Sequence, residues 1–211
     1  MLPLRDTTPS RRIPIATISI IAVNIVVFAN RLTLPYDEAL KEIYKYAFIP
    51  SRFISGITHI ESYIPLFTSM FMHGDIFHIV SNMWSLWLFG DNVEDNMGSF
   101  NFIIFYILTG LIAGFAHFIF NPLSNIPTVG ASGAIAGVMG AYFMMCPHSK
   151  VVTLVPFIPF FIRVPAPIFL FIWFISQLRS GINGIAAGVA WWAHIFGFLA
   201  GLLLYKKFIR K

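Results

Sequence analysis

Charge is what this 211-residue sequence has least of: 11% of its residues are Asp, Glu, Lys or Arg, against about a quarter in a soluble globular domain. With 57% hydrophobic residues and a mean hydropathy of +0.77, a water-soluble domain is excluded and an integral membrane protein is indicated. Carboxylates stop early. The last is Asp95, which excludes paired intramembrane aspartates and leaves the second half of the chain without an acid. The single cysteine, Cys146, excludes an intrachain disulfide and reads as a packed, inert thiol. The His-Glu-x-x-His pattern of zinc proteases is missing, and His73 and His78 are five apart, off a common helical face, so neither a metal nor another cofactor is expected. The net charge of +5 does not point to nucleic acid, because Lys and Arg flank apolar runs and form no stripe with interleaved aromatics. No internal repeat suggests a transporter.

What the sequence does have is apolar runs. Six approach the roughly 20 residues needed to cross a bilayer: near 14–30, 74–93, 100–120, 131–146, 164–180 and 186–206. The expected fold is an all-α integral membrane protein, a six-transmembrane-helix bundle formed by 1–211 as one domain. Residues 1–13 form the N-terminus, 31–73 a structured outer loop between helices 1 and 2, and 205–211 a basic tail. Within the outer loop, Tyr36, Leu40, Ile43 and Tyr44 follow helical spacing opposite Asp37, Glu38 and Lys41, predicting an amphipathic helix at the interface or on the bundle. Val151–Ile162, interrupted by Pro156 and Pro159, reads as an interfacial loop. Nine Lys and Arg fall on the side of both termini and five on the other, which places the termini in the cytoplasm and suggests the plasma (inner) membrane. Arg11-Arg12, an apolar run and Val27-Phe28-Ala29 also have the form of a signal peptide; the even helix count favours retention.

Polar residues inside apolar helices are costly unless they face the bundle or water. His78 and Asn82 begin the second run, Ser132 opens the fourth and His194 lies two turns into the sixth. These three helices run in the same direction, so their N-terminal ends share one membrane face, the outer one by the charge count. His78 and Asn82 are one turn apart on one face. Ser132, Ala136 and Gly140 share another, as do His194, Gly197 and Gly201, and small residues so spaced let helices approach closely. A serine beside a neutral histidine is an activated nucleophile. With no acid after Asp95, a Ser–His dyad is the economical arrangement. The start of the fourth helix, with Asn82 and His78, would stabilise an oxyanion.

The segment Gly130-Ala131-Ser132-Gly133-Ala134, His78 with Asn82, and Ala193-His194 with Gly197 and Gly201 resemble the rhomboid intramembrane serine proteases, as do Gly90, Glu94 and Ala190-Trp191-Trp192. The resemblance implies a cavity open to the outer face, Ser132 as nucleophile and His194 as base then acid. It also implies an oxyanion hole from His78, Asn82 and the Ser132 backbone N–H, with no metal or cofactor. The implied partners are single-span membrane-protein substrates in the lipid bilayer. The fifth helix and the loop before the sixth would form a lateral gate, and Glu94 would brace the cytoplasmic end of the second helix. A non-cleaving, client-binding relative of these proteases is the alternative. Two departures stand out: Ala136 sits where many relatives carry an aromatic that stacks on the histidine, and the first outer loop lacks the Trp-Arg pair of some relatives. His59, His117 and His148 read as loop or interfacial residues.

Overall fold

The computed structural model describes residues 2–154, 161–184 and 188–210. In chain order these form β1 (Leu2–Asp6), α1 (Ile15–Leu32), α2 (Tyr36–Tyr46), α3 (Pro50–Ser55), α4 (Ile64–Thr68), α5 (Ile76–Met97), α6 (Ser99–Phe120), α7 (Ser132–Met145), β2 (Lys150–Leu154), β3 (Phe161–Pro165), α8 (Ala166–Asn183) and α9 (Trp191–Phe208). The six apolar runs correspond to α1 and α5 to α9. By length and composition alone, α1 and α6 could cross a membrane. Polar and charged residues dilute α5, α8 and α9, and the 14 residues of α7 span about 21 Å, short of a hydrocarbon core roughly 30 Å thick.

The outward surfaces are apolar. Val26 on α1, Phe100 on α6, Ile172 on α8 and Leu203 on α9 are all exposed, and apolar surface this extensive needs a lipid solvent. Aromatic and aliphatic side chains fill the interior, among them Leu86, Phe89, Phe102, Phe105, Tyr106 and Tyr142.

Three backbone contacts define the centre. A Cβ on Gly197 would collide with the Gly133 carbonyl, and one on Gly201 with the Gly137 carbonyl. A Cβ on Gly140 would likewise collide with the Phe198 carbonyl. Helices α7 and α9 therefore meet backbone to backbone, as small residues at four-residue spacing permit. At the other end of the molecule Glu94, 3% exposed, accepts from the N–H groups of Ala16 and Thr17, both at 2.8 Å, and from the hydroxyls of Thr17 at 2.8 Å and Ser99 at 2.6 Å. Beyond bracing α5, Glu94 caps the start of α1, where backbone N–H groups lack intrahelical acceptors.

The all-α expectation is corrected by a three-stranded antiparallel sheet in the order β1-β2-β3. The run read as a loop from Val151 to Ile162 contributes β2 and the start of β3; its residues 155–160 lie outside the described residues. Val151, Val152 and Thr153 are β-branched and buried, as suits a pleated, packed surface. Their partner is the N-terminal segment, where Pro3 is tolerated because β1 is an edge strand. The Trp84 indole donates to the Pro3 carbonyl at 2.7 Å, while the Tyr142 hydroxyl lies 2.6 Å from Asp6 Oδ2 and 2.7 Å from Ser149 Oγ. Burial pushes the Asp6 carboxyl above the ordinary carboxylate range.

None of α2 is buried, and Tyr36, Leu40 and Tyr44 are exposed on it. The rest of the first loop is tied to the segment before α7 by paired backbone hydrogen bonds between Phe48 and Thr128 and by Gly130 N–H to the Ser69 carbonyl at 2.9 Å. These bonds fix the approach to Ser132.

Candidate active site

Ser132 is the first residue of α7 and His194 the fourth of α9. Because the two helices touch through glycine, their side chains meet: His194 Nε2 lies 2.8 Å from Ser132 Oγ. Both residues are half-buried. Ser132 sits where α7 presents backbone N–H groups without intrahelical acceptors.

His78 and Asn82 approach from α5. The Asp75 carboxylate caps this helix by accepting from the His78 N–H at 2.9 Å. The Gly74 N–H donates to His78 Nδ1 at 3.4 Å, so a neutral His78 carries its proton on Nε2. That nitrogen points toward Gly130: a Cβ there would sit 2.7 Å from His78 Nε2 and 3.6 Å from Ser132 Oγ. Gly130 also has φ +127°, which only glycine adopts readily. This position needs glycine twice over, for its backbone and for the space next to the histidine. Asn82, 7% exposed, has its Nδ2 buried without an acceptor. An unpaired buried donor is expensive, and here it lies one helical turn from His78.

Behind His78 stands His73, 1% exposed, with the two rings edge to face at 5.0 Å. Burial first, then neighbouring His78 and Arg31, push the His73 pKa down to about 3. It stays neutral and buttresses the His78 ring.

The sequence left open how His194 is held with Ala136 in place of an aromatic. Ala136 is fully buried at the helix crossing, and a Cβ on Gly197 would lie 3.3 Å from its methyl; a ring at that position would wedge α7 and α9 apart. The aromatics come from elsewhere. Trp173 of α8 lies 6.2 Å from the His194 ring, tilted by 32°, and Trp191 meets it edge to face at 5.9 Å. A third neighbour escaped the sequence reading. Gln177 of α8, 7% exposed, places Oε1 2.8 Å from His194 Nδ1. The available signal was that the chain's only glutamine falls inside an apolar helix, four residues from Trp173 and so on its face.

His117, read as an interfacial or loop residue, is buried in the last turn of α6, with Nε2 3.2 Å from Thr128 Oγ1 and Nδ1 3.5 Å from Asn121 Nδ2. With Asn121, Thr128, Trp191 and Trp192 it lines a partly polar cavity of about 190 Å³, and Trp191 also meets the His194 ring.

The Rhomboid domain family matches residues 61–211, which contain every residue of this site. The chain belongs to the rhomboid family. It is 31% identical over 156 residues to the putative rhomboid protease YdcA of Bacillus subtilis, covering 69% of this chain and 67% of that protein. It is 27% identical over 160 residues to the mitochondrial Rhomboid protein 1 of Saccharomyces cerevisiae, covering 72% of this chain and 44% of the yeast protein. It is 30% identical over 116 residues to the mitochondrial presenilin-associated rhomboid-like protein A of Danio rerio, covering 54% of this chain and 30% of the relative. The chain thus spans less than half the length of these two mitochondrial relatives. As a rhomboid protein it is a membrane protein, in keeping with its apolar exterior.

Proposed function

We propose that this rhomboid protein is an intramembrane serine endopeptidase that cuts membrane-protein substrates in or near a transmembrane segment. The observation that carries the reading is the 2.8 Å separation of Ser132 Oγ and His194 Nε2 at the start of α7. Ser132 gives its proton to Nε2 as Oγ attacks the scissile carbonyl carbon, and the imidazolium returns that proton to the departing amine. Water, for which the cavity beside His117 has room, then hydrolyses the acyl-enzyme. Asn82 Nδ2, His78 Nε2 and the first N–H groups of α7 are the donors for the oxyanion.

In this reading α1 and α5 to α9 make six spans, with the shortness of α7 setting Ser132 below the outer surface. Both termini lie on the positive, cytoplasmic side, and the substrates are single-span helices. Because mitochondrial and bacterial relatives both match, the assignment is to a cellular membrane rather than to the plasma membrane in particular.

The test is cleavage of a single-span reporter by purified protein in liposomes, with fluorophosphonate labelling of Ser132 alongside. Ser132→Ala and His194→Ala are expected to reduce cleavage to background, about a millionfold where the assay can reach it. Unchanged cleavage in either variant would defeat the reading. A wild type that neither labels nor cleaves would favour client binding without proteolysis.

A further inference from the structure

We propose that Gln177 is a positioning residue that locks His194 into the one tautomer able to accept the Ser132 proton, completing a Ser–His–Gln array in a chain with no acid available for the task. The proposal deepens the protease reading and rests on it. It stands on four hydrogen bonds that can run in one direction only.

The chain of bonds is anchored at a backbone carbonyl, which can only accept. The Ser176 hydroxyl donates to the Trp173 carbonyl at 2.6 Å, so Ser176 Oγ has only lone pairs left to offer. Gln177 Nε2 lies 3.0 Å from that oxygen and donates to it. This settles which way the Gln177 amide faces, since its nitrogen is committed to Ser176 and its oxygen is turned to His194 Nδ1 at 2.8 Å. An amide oxygen accepts and never donates, so Nδ1 must carry the imidazole proton. Nε2 is then a bare lone pair, and at 2.8 Å it receives the hydroxyl of Ser132.

The acid of a serine-protease triad holds the imidazole in the correct tautomer and orientation. A buried amide oxygen can do both without placing a second charge in a low-dielectric interior, where an unpaired carboxylate would be costly. It provides less electrostatic support for the imidazolium than a carboxylate, so its removal should cost less than the roughly 10⁴-fold seen when a triad aspartate is replaced. Trp173, which faces the same ring, lies one helical turn before Gln177. The face of α8 that orients the base is therefore continuous.

Three variants test this in the full chain in liposomes. Gln177→Leu keeps a branched side chain, one atom shorter, and removes the acceptor; kcat should fall by about 10- to 100-fold while KM stays within about twofold of wild type. Gln177→Glu restores an acceptor oxygen and should recover kcat to within about tenfold of wild type. Ser176→Ala frees the amide to flip and should cost a few-fold in kcat. An unchanged kcat in Gln177→Leu overturns the proposal. So does a raised KM at constant kcat, because that marks a substrate contact rather than a positioned base.

A readout independent of turnover is the ¹⁵N spectrum of histidine-labelled protein, with the His194 signals identified by their loss in His194→Ala. Wild type should show His194 protonated at Nδ1, and Gln177→Leu a mixture of tautomers. A wild-type His194 carrying its proton on Nε2 overturns the lock. A wild type that cleaves nothing yet shows the Nδ1-protonated form, lost in Gln177→Leu, removes the protease reading and upholds the lock.

Discussion

Helices α7 and α8 frame the same histidine in opposite ways. Ten of the 14 residues of α7 are buried, and its backbone touches that of α9 without an intervening side chain. On α8, three of 18 residues are buried, Ala166, Leu170 and Gln177, while Ile168, Phe171, Ile172 and Ile175 face outward. The proposed nucleophile, Ser132, is thus carried on an element packed on every side, and the proposed orienting amide, Gln177, on one attached along a single stripe. The difference separates two requirements. In the proposed reading bond making needs a fixed distance between Ser132 and His194, whereas substrate entry needs something that can yield, and of the six apolar helices α8 has the least packing to lose.

The largest test of this contrast is Gly201→Ala. Its added methyl would land on the Gly137 carbonyl, and we expect a stability loss of about 2 kcal/mol or more. The melting temperature should fall sharply and Ser132 labelling should be lost; a folded, fully labelled variant would break the claim that α7 and α9 are in backbone contact. Next comes Asn82→Ala, which removes an unpaired donor from the packed side. Cleavage should slow by about 10²-fold with the melting temperature unchanged or slightly raised, because no hydrogen bond is given up. An unaffected rate would take Asn82 out of the oxyanion hole. The smallest effect belongs to α8. Ile172→Ala on its outer face should shift stability by no more than about 0.5 kcal/mol, and a large drop in melting temperature would show that α8 is held more firmly than its burial suggests.

How much of this was legible beforehand depends on whether the signal is local. Helix positions largely were, because length and hydropathy are read within one window; the expected spans near 100–120 and 131–146 differ from α6 and α7 by a residue at an end, while those near 74–93 and 186–206 miss the end of α5 by four residues and the start of α9 by five. Ser132, His194, His78 and Asn82 stood out because polar groups are rare in apolar helices. The sheet did not. Leu2–Asp6 contains a proline and two charges, and it becomes a strand only by pairing with Val151–Leu154 nearly 150 residues away. Gln177 was hidden for a related reason: its partner lies 17 residues on, in another helix, and no periodicity within α8 announces that contact. The expected absence of an aromatic at Ala136 was visible, but not its cause, which is the room needed by Gly197 across the crossing.

The glycines of that crossing change what a loss of activity would mean. A mutational survey of this chain would rank Gly197 and Gly201 with Ser132 and His194 as positions that tolerate nothing, and would tempt an observer to assign them chemistry. They carry no side chain that could transfer a proton. Their contribution is atoms left out, so under the proposed function indispensability divides into two kinds: residues that would react, and residues whose smallness lets those two meet.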